Sequence, residues 1–218
     1  DPELSHAANY LYMLSGRLPD PTACQALSVL LNLYAEHELS TSTFTARMVI
    51  TTRSDFYSAM VAAISALKGP LHGGGAIDDV MRTLMTIGSV DRVPEHVEQE
   101  LAITGRLPGF GRRLLYPADD PRAMHVKHVL GELARGHSQW ALLTDALARC
   151  VEQKTGELPT IDFYAAPALY HLGFPLELFT NVVASARVAG WAAHVLEQYG
   201  DTKPARPRAR YVGPRVRE

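Results

Sequence analysis

Cysteine is scarce in this sequence: only Cys24 and Cys150 occur in 218 residues. The two form no CxxC pair and stand at no metal-ligand spacing from a histidine, which argues against a zinc site or a redox motif. Each falls in an apolar, helix-like segment. We therefore expect two buried thiols in a reducing compartment and no resident metal.

An excess of charge of one sign is missing too. The chain carries 21 Lys and Arg against 23 Asp and Glu, a net charge of −2, so the molecule as a whole is not built to coat nucleic acid or an acidic membrane. No apolar run is long enough to span a bilayer, and no signal peptide is visible. We expect a cytoplasmic protein. Because the chain begins directly in a helical pattern, we also expect the numbering to start inside a longer chain.

Strand patterns are rare, whereas helix patterns dominate. Residues 41–52 are rich in β-branched side chains, which favours a strand on propensity alone, but apolar and polar residues do not alternate there. Pro21 after Asp20 suits the first turn of a helix that runs toward His37. With 47% hydrophobic residues, the composition predicts a folded, all-α protein. Three stripes follow the 3.6-residue helical period: Phe56, Met60, Ile64 and Leu67; Val126, Val129, Leu130 and Leu133; Phe179, Val182, Val183 and Ala186.

Glycine and proline interrupt the helical pattern at residues 68–75, 106–121 and 203–218, and such loops often carry the chemistry of a helical protein. In the first loop His72 precedes three glycines, which let the backbone approach a ligand closely. Asp78 and Asp79 stand where the next helix is expected to begin. Because acids there already complement the helix dipole, a positioned histidine is the better interpretation than an anion site.

Other candidate residues remain open to two interpretations each. The arginines of the second loop either hold a phosphate or carboxylate bidentately or form a solvated turn. Asp162 is either a helix cap or a general base with a raised pKa. His37 on its own is more typical of a structural histidine than of a catalyst. The basic tail is either a nucleic-acid arm or an arm that packs on another subunit.

Taken in order, the motifs of this chain resemble the citrate synthase family over nearly its whole length. They are HE with STFTAR (37–38, 42–47), GPLHGG (69–74), LPGFG with DPRA (107–111, 120–123), IDFYAAPALYHLGFP (161–175), ASARVAGWAAHVLEQ (184–198) and RPRARYVG (206–213). The resemblance implies an all-helical, two-domain homodimer with its active site in the cleft between domains, and it implies that much of the large domain precedes this chain. The implied division is a large-domain part at 1–71, a small cleft-closing domain at 72–165, a return helix at 166–202 and an extended arm at 203–218.

The resemblance also assigns roles to oxaloacetate-binding residues. His37 and Arg187 would bind the carboxylate and carbonyl end of this substrate. Arg122 would hold a carboxylate, and Arg206 would reach the partner subunit's site and hold another.

The acyl-CoA side of the site follows from the same resemblance. His72 would polarise the acetyl thioester carbonyl while Asp162 removes the methyl proton. Acetyl-CoA would be a cosubstrate, with no tightly bound cofactor. The backbone of one turn would contact the adenine end of CoA: Leu107, Pro108, Gly109, Phe110 and Gly111.

One departure from the family pattern concerns catalysis. The family has a histidine after GFG, which donates to the oxaloacetate carbonyl, but here Arg112 follows. Counting back from Arg122 places Arg113 there instead, because the loop is one residue longer. Arginine stabilises an alkoxide by charge but does not readily give up a proton. Ser40 also stands where many members have asparagine.

The function expected from this resemblance is condensation of acetyl-CoA with oxaloacetate to citrate and CoA. A 2-methylcitrate synthase that uses propionyl-CoA is an alternative. A second alternative is a binding homologue that has lost turnover, which the loop arginine favours. A third alternative is an enzyme that cleaves citryl-CoA. We expect no nucleic-acid or membrane partner.

Overall fold

The computed structural model describes residues 1–73, 76–111, 120–135, 138–201 and 203–213. Within these ranges the chain is built of α-helices, so the all-α prediction is confirmed. The helices are α1 (His6–Ser15), α2 (Pro21–Ala35), α3 (Thr41–Thr51), α4 (Phe56–Leu67), α5 (Ala76–Ile87), α6 (Val93–Thr104), α7 (Pro121–Ala134), α8 (Gln139–Thr155), α9 (Ile161–His171) and α10 (Phe179–Tyr199). Two short 3₁₀ helices, Val90–Arg92 and Leu176–Leu178, precede α6 and α10.

Side-chain caps explain where several helices begin. Asp20 accepts a hydrogen bond from Ala23 N with Pro21 in the first turn, as the sequence predicts for α2. Ser40 caps α3 in the same way. The β-branched residues 41–52 therefore form a helix and not a strand, because a cap starts it and its face from Ser42 to Ile50 is buried.

A two-residue strand pair was not predicted. Strand β1 (Phe110–Gly111) pairs antiparallel with β2 (Leu158–Pro159), and Phe110 lies opposite Pro159. Strands this short show no alternation that a sequence could reveal. Their effect is to fasten the turn at residues 107–111 to the chain that leads into α9.

The described residues form two hydrophobic clusters. The larger draws on α1, α2 and α5 to α10, and the smaller joins α3 and α4 to Trp191 and Val195 of α10. Helix α10 thus packs against both. The predicted stripes of α7 and α10 are buried except at Leu133, which is half-buried. On α4, however, Ile64 is 45% exposed, because this side of the helix has no described neighbour.

The cysteines and the membrane prediction can also be compared with the structure. Cys24 and Cys150 are free thiols but only partly buried, which corrects the expectation of two buried ones. Cys150 packs against the core from the margin of the buried face of α8.

Across the described ranges, no helix combines the length and apolarity that crossing a membrane requires. The cytoplasmic location and the domain boundaries stay predictions.

Candidate active site

A cavity of about 530 Å³ lies between the end of α2, the start of α3, and helices α7, α9 and α10. Residues far apart in sequence meet here. The cavity brings together most of the predicted site side chains: His37, His72, Arg122, Asp162 and Arg187. The sequence resemblance therefore selected residues that share one chamber.

Asp162 lies in the first turn of α9, where its carboxylate accepts a hydrogen bond from Tyr34 Oη at 2.6 Å. Thr160 is the N-cap residue of this helix, so the cap interpretation of Asp162 is wrong. Burial raises the pKa of Asp162, while the Tyr34 hydrogen bond and the charge of Arg122 act in the opposite direction. A carboxylate with a raised pKa is a stronger base than a solvated one, which suits general-base work.

The ring of His72 is held in one tautomer by Ser42. The backbone N–H of Ser42 donates to His72 Nε2 at 3.2 Å, and Ser42 Oγ lies 2.8 Å from the same nitrogen. Because a backbone N–H can only donate, Nε2 is an acceptor and the proton sits on Nδ1. Burial and the nearby Arg187 charge lower the pKa of His72. The residue is therefore a neutral imidazole whose Nδ1–H is a hydrogen-bond donor.

Ser42 is itself fixed by a second partner. Trp191 Nε1 donates to Ser42 Oγ at 3.2 Å, and Ser42 is fully buried. Because His72 Nε2 is an acceptor, the 2.8 Å contact requires the Ser42 hydroxyl to donate to it. A chain of hydrogen bonds from α10 through α3 thus orients the His72 ring.

His37 is a second neutral imidazole at the cavity. It follows the end of α2, in a loop where Glu38 has a left-handed backbone with φ of 52°. Burial, Arg122 and Arg187 together hold the pKa of His37 at about 4. At neutral pH its ring therefore has one N–H donor and no charge.

Two arginines give the cavity its positive charge. Arg187 is only 5% exposed, and its Nε donates to Tyr34 O at 2.7 Å. The Arg122 guanidinium donates twice to Asp120, from Nε to Oδ1 at 3.0 Å and from Nη2 to Oδ2 at 2.9 Å. Burial and the Arg122 charge lower the pKa of Arg187. A bound carboxylate would relieve this repulsion, so the cavity suits an anionic ligand.

Asp120 is a site residue that the sequence analysis did not select. It is 4% exposed, caps α7 through Arg122 N and accepts a hydrogen bond from Ile161 N at 3.0 Å. One carboxylate thus joins the starts of α7 and α9 and sets Arg122 relative to Asp162. The cap position before Pro121 was a visible signal, whereas the partner 41 residues away was not.

The predicted CoA-binding turn lies against the start of α9 and outside the lining of the cavity. Gly109 has φ of +80°, and a Cβ there would lie 2.7 Å from Val80 Cγ2, so only glycine fits. Gly109 O accepts from Thr160 N at 2.9 Å, and the Phe110 ring lies 4.6 Å from that of Phe163. Contact of residues 107–111 with CoA stays a prediction.

Three predicted site residues remain to be placed: Arg206, Arg112 and Arg113. Arg206 is exposed in the extended arm and does not line the chamber, and its proposed role requires a partner subunit. Arg112 and Arg113 lie outside the described residues. In the part of the chain that is described, no group of three or more His, Cys, Asp or Glu is arranged to hold a metal ion.

Known proteins resemble this chain in sequence and in structure. Residues 1–208 match the family model for the citrate synthase C-terminal domain. Citrate synthase 2 of Bacillus subtilis is 42% identical over 210 residues, which cover 95% of this chain and 56% of the relative. The citrate/2-methylcitrate synthase of the same organism is 39% identical over 214 residues, 97% of this chain and 57% of its own length.

A solved structure repeats the fold. The ternary complex of carboxymethyl coenzyme A and oxaloacetate with citrate synthase from Thermoplasma acidophilum superposes with a TM-score of 0.90 at 32% identity. The match covers 100% of this chain and 59% of that one. The chain therefore spans a little over half the length of these relatives.

Proposed function

The chain belongs to the citrate synthase family, and we propose that the protein condenses acetyl-CoA with oxaloacetate to give citrate and CoA. The observation that carries this proposal is the pairing in one cavity of a carboxylate of raised pKa, Asp162, with a neutral donor, His72. Forming a carbon nucleophile from a thioester requires both groups at once.

Proton abstraction is the step that Asp162 and His72 would share. A methyl group next to a thioester is a weak acid, so a carboxylate base needs a donor at the forming enolate oxygen. Asp162 takes the methyl proton, and His72 Nδ1–H donates to that oxygen. The tautomer fixed by Ser42 places this N–H on the ring nitrogen that does not face Ser42.

The second substrate would be held by the charged side of the cavity. Arg122 and Arg187 bind the carboxylates of oxaloacetate through charge-assisted hydrogen bonds, which are stronger than those between neutral groups. The neutral His37 ring donates at its carbonyl end. An additional carboxylate contact from Arg206 of a partner subunit completes the proposal.

The loop arginine sets the expected rate. Arg112 or Arg113 stands where the family has a histidine that donates to the oxaloacetate carbonyl. Loss of one such donor typically lowers the rate by about 10²–10³-fold. We therefore propose a slow enzyme, and retention of the other site residues favours turnover over binding alone.

Propionyl-CoA is the second candidate acyl donor. The observation that favours it is the name of one relative, a citrate/2-methylcitrate synthase at 39% identity. The reacting groups would be the same, since both acyl chains lose a proton from the carbon next to the thioester.

A homodimer is the assembly we propose. Helix α4 presents an apolar face with Tyr57 79%, Val61 63% and Ile64 45% exposed, and large apolar faces are typical of surfaces that another chain covers. The exposed arm at residues 203–213 would then extend to the second subunit.

Segment 72–165 would form the small domain that closes over the substrates.

The test is release of free CoA thiol from acetyl-CoA or propionyl-CoA, with and without oxaloacetate. The variants Arg112→His and Arg113→His are assayed beside the parent protein. Oxaloacetate-dependent release supports the proposal, and faster release by one variant identifies the arginine that replaced the histidine. No release by any of the three proteins, while oxaloacetate still raises the melting temperature, would instead indicate a binding homologue.

A further inference from the structure

Three successive turns of α10 contact the end of α2. Arg187 Nε donates to the carbonyl of Tyr34. At Gly190, a Cβ would lie only 2.2 Å from Ala35 O, so the two backbones touch. One turn further on, His194 Nε2 lies 3.1 Å from Glu36 Oε1. These contacts fix the last residues before His37.

The hydrogen-bond partners of His194 determine which of its ring nitrogens carries the proton. Arg47 Nη1 lies 3.1 Å from His194 Nδ1, and because a guanidinium can only donate, Nδ1 is an acceptor. Nε2 therefore carries the proton and donates to Glu36. Arg47 is also held by Glu197 and by Gln198 Oε1. His194 thus connects a fixed arginine on α3 to a carboxylate at the end of α2.

Glu36 and Arg47, the hydrogen-bond partners of His194, lie at the two ends of residues 36–47. This segment begins with the loop at residues 36–40, in which His37 lines the cavity. Glu36 immediately precedes His37, and Arg47 lies on α3, whose first turn carries Ser42. Within the loop the left-handed backbone of Glu38 is strained, and such strain persists only where neighbouring contacts hold it. The bridge through His194 is a contact of this kind.

We propose that His194 is a positioning residue, which holds His37 for oxaloacetate without touching either substrate. Its position outside the cavity lining fits this role. The assignment to oxaloacetate rests on the proposed function, whereas the effect on the loop does not.

The test compares His194→Ala with His194→Gln, since glutamine can accept from Arg47 through Oε1 and donate to Glu36 through Nε2. We expect His194→Ala to raise the Kd and KM for oxaloacetate by about tenfold, the value of one hydrogen bond, while the KM for acyl-CoA stays within about twofold. His194→Gln should restore the oxaloacetate values. Glu98→Gln, which removes an exposed ion pair with Lys154, is the matched control.

Amide hydrogen exchange at residues 37–42 provides a readout without turnover. Exchange there should be faster in His194→Ala than in the parent and normal in His194→Gln. A uniform loss of affinity for both substrates, without rescue by glutamine, would overturn the proposal, as would unchanged exchange in His194→Ala. If the parent binds no oxaloacetate, the proposed function fails, and the exchange data still decide whether His194 positions the loop.

Discussion

Tyr34 Oη donates a 2.6 Å hydrogen bond to Asp162 Oδ1 across 128 positions of sequence. The bond stabilises the ionised carboxylate, while burial favours the protonated form. Burial thus raises the pKa of Asp162, and a residue of another helix limits that rise. The backbone carbonyl of the same Tyr34 accepts a hydrogen bond from Arg187. One tyrosine thus contacts both the proposed base and an arginine proposed to bind oxaloacetate.

Replacing Tyr34 by phenylalanine removes a contribution that lowers the pKa of Asp162. The pKa should rise further, so the acid limb of kcat/KM moves to higher pH. A pH–rate profile checks this, with Tyr170→Phe on α9 as the control because that ring packs against Trp140 and does not line the cavity. An acid limb that stays in place, or that moves to lower pH, would contradict the role given to Tyr34.

Ser42→Ala tests how the His72 ring is oriented. The backbone N–H of Ser42 remains and preserves the tautomer, but one hydrogen bond to the ring is lost. We expect kcat to fall about tenfold, with a lower melting temperature because Trp191 Nε1 loses its acceptor. Ser65→Ala, which removes a hydroxyl bonded to Val61 O on α4, should leave kcat unchanged. Equal losses in both variants would show that Ser42 has no particular role.

Asp120→Ala removes the carboxylate that joins α7 to α9. The partners left behind include the partly buried Arg122 guanidinium, so the free energy of unfolding should fall by about 3 kcal/mol or more. Asp145→Ala breaks the exposed ion pair with Lys127 and should lower it by less than about 1 kcal/mol. Chemical denaturation of both variants measures the difference. Similar losses of unfolding free energy in the two variants would mean that Asp120 does not stabilise the contact between α7 and α9.

His37 should make stability depend on pH in a known direction. Its folded-state pKa of about 4 lies below the ordinary value of 6.5, so on acidification the unfolded chain binds this proton first. The contribution of His37 is fully present above pH 6.5 and is lost as the pH falls toward 4. The parent should therefore lose stability more steeply than His37→Gln over this interval. Denaturation curves at several pH values check this, and parallel losses in the two proteins would refute it.

Local patterns were enough to locate several of the helices. The Asp20–Pro21 start of α2 and the buried stripe at the start of α10 follow from capping and periodicity. Residues 41–52 were ambiguous, since their β-branched content favours a strand while only the buried face of α3 decides for a helix. On α4, Ile64 follows the apolar period and is nevertheless exposed, because periodicity cannot show whether a neighbour covers that face.

The candidate site was predicted in part for a different reason. His37, His72, Arg122, Asp162 and Arg187 stand in motifs that resemble a family, and they do share a cavity. The residues that tune them were not singled out from the sequence, although Ser42 and Asp120 stand in the same motifs. Tyr34, Ser42 and Asp120 act through long-range hydrogen bonds that only the folded chain reveals.

Asp162→Asn tests most directly whether Asp162 removes the methyl proton. Turnover is measured as oxaloacetate-dependent CoA release from acetyl-CoA, and binding as the rise in melting temperature that oxaloacetate produces. We expect turnover to fall by about 10²-fold or more, the usual contribution of a general base, while the rise in melting temperature stays close to that of the parent. Release by Asp162→Asn at the parent rate would contradict the assignment of Asp162 as the base.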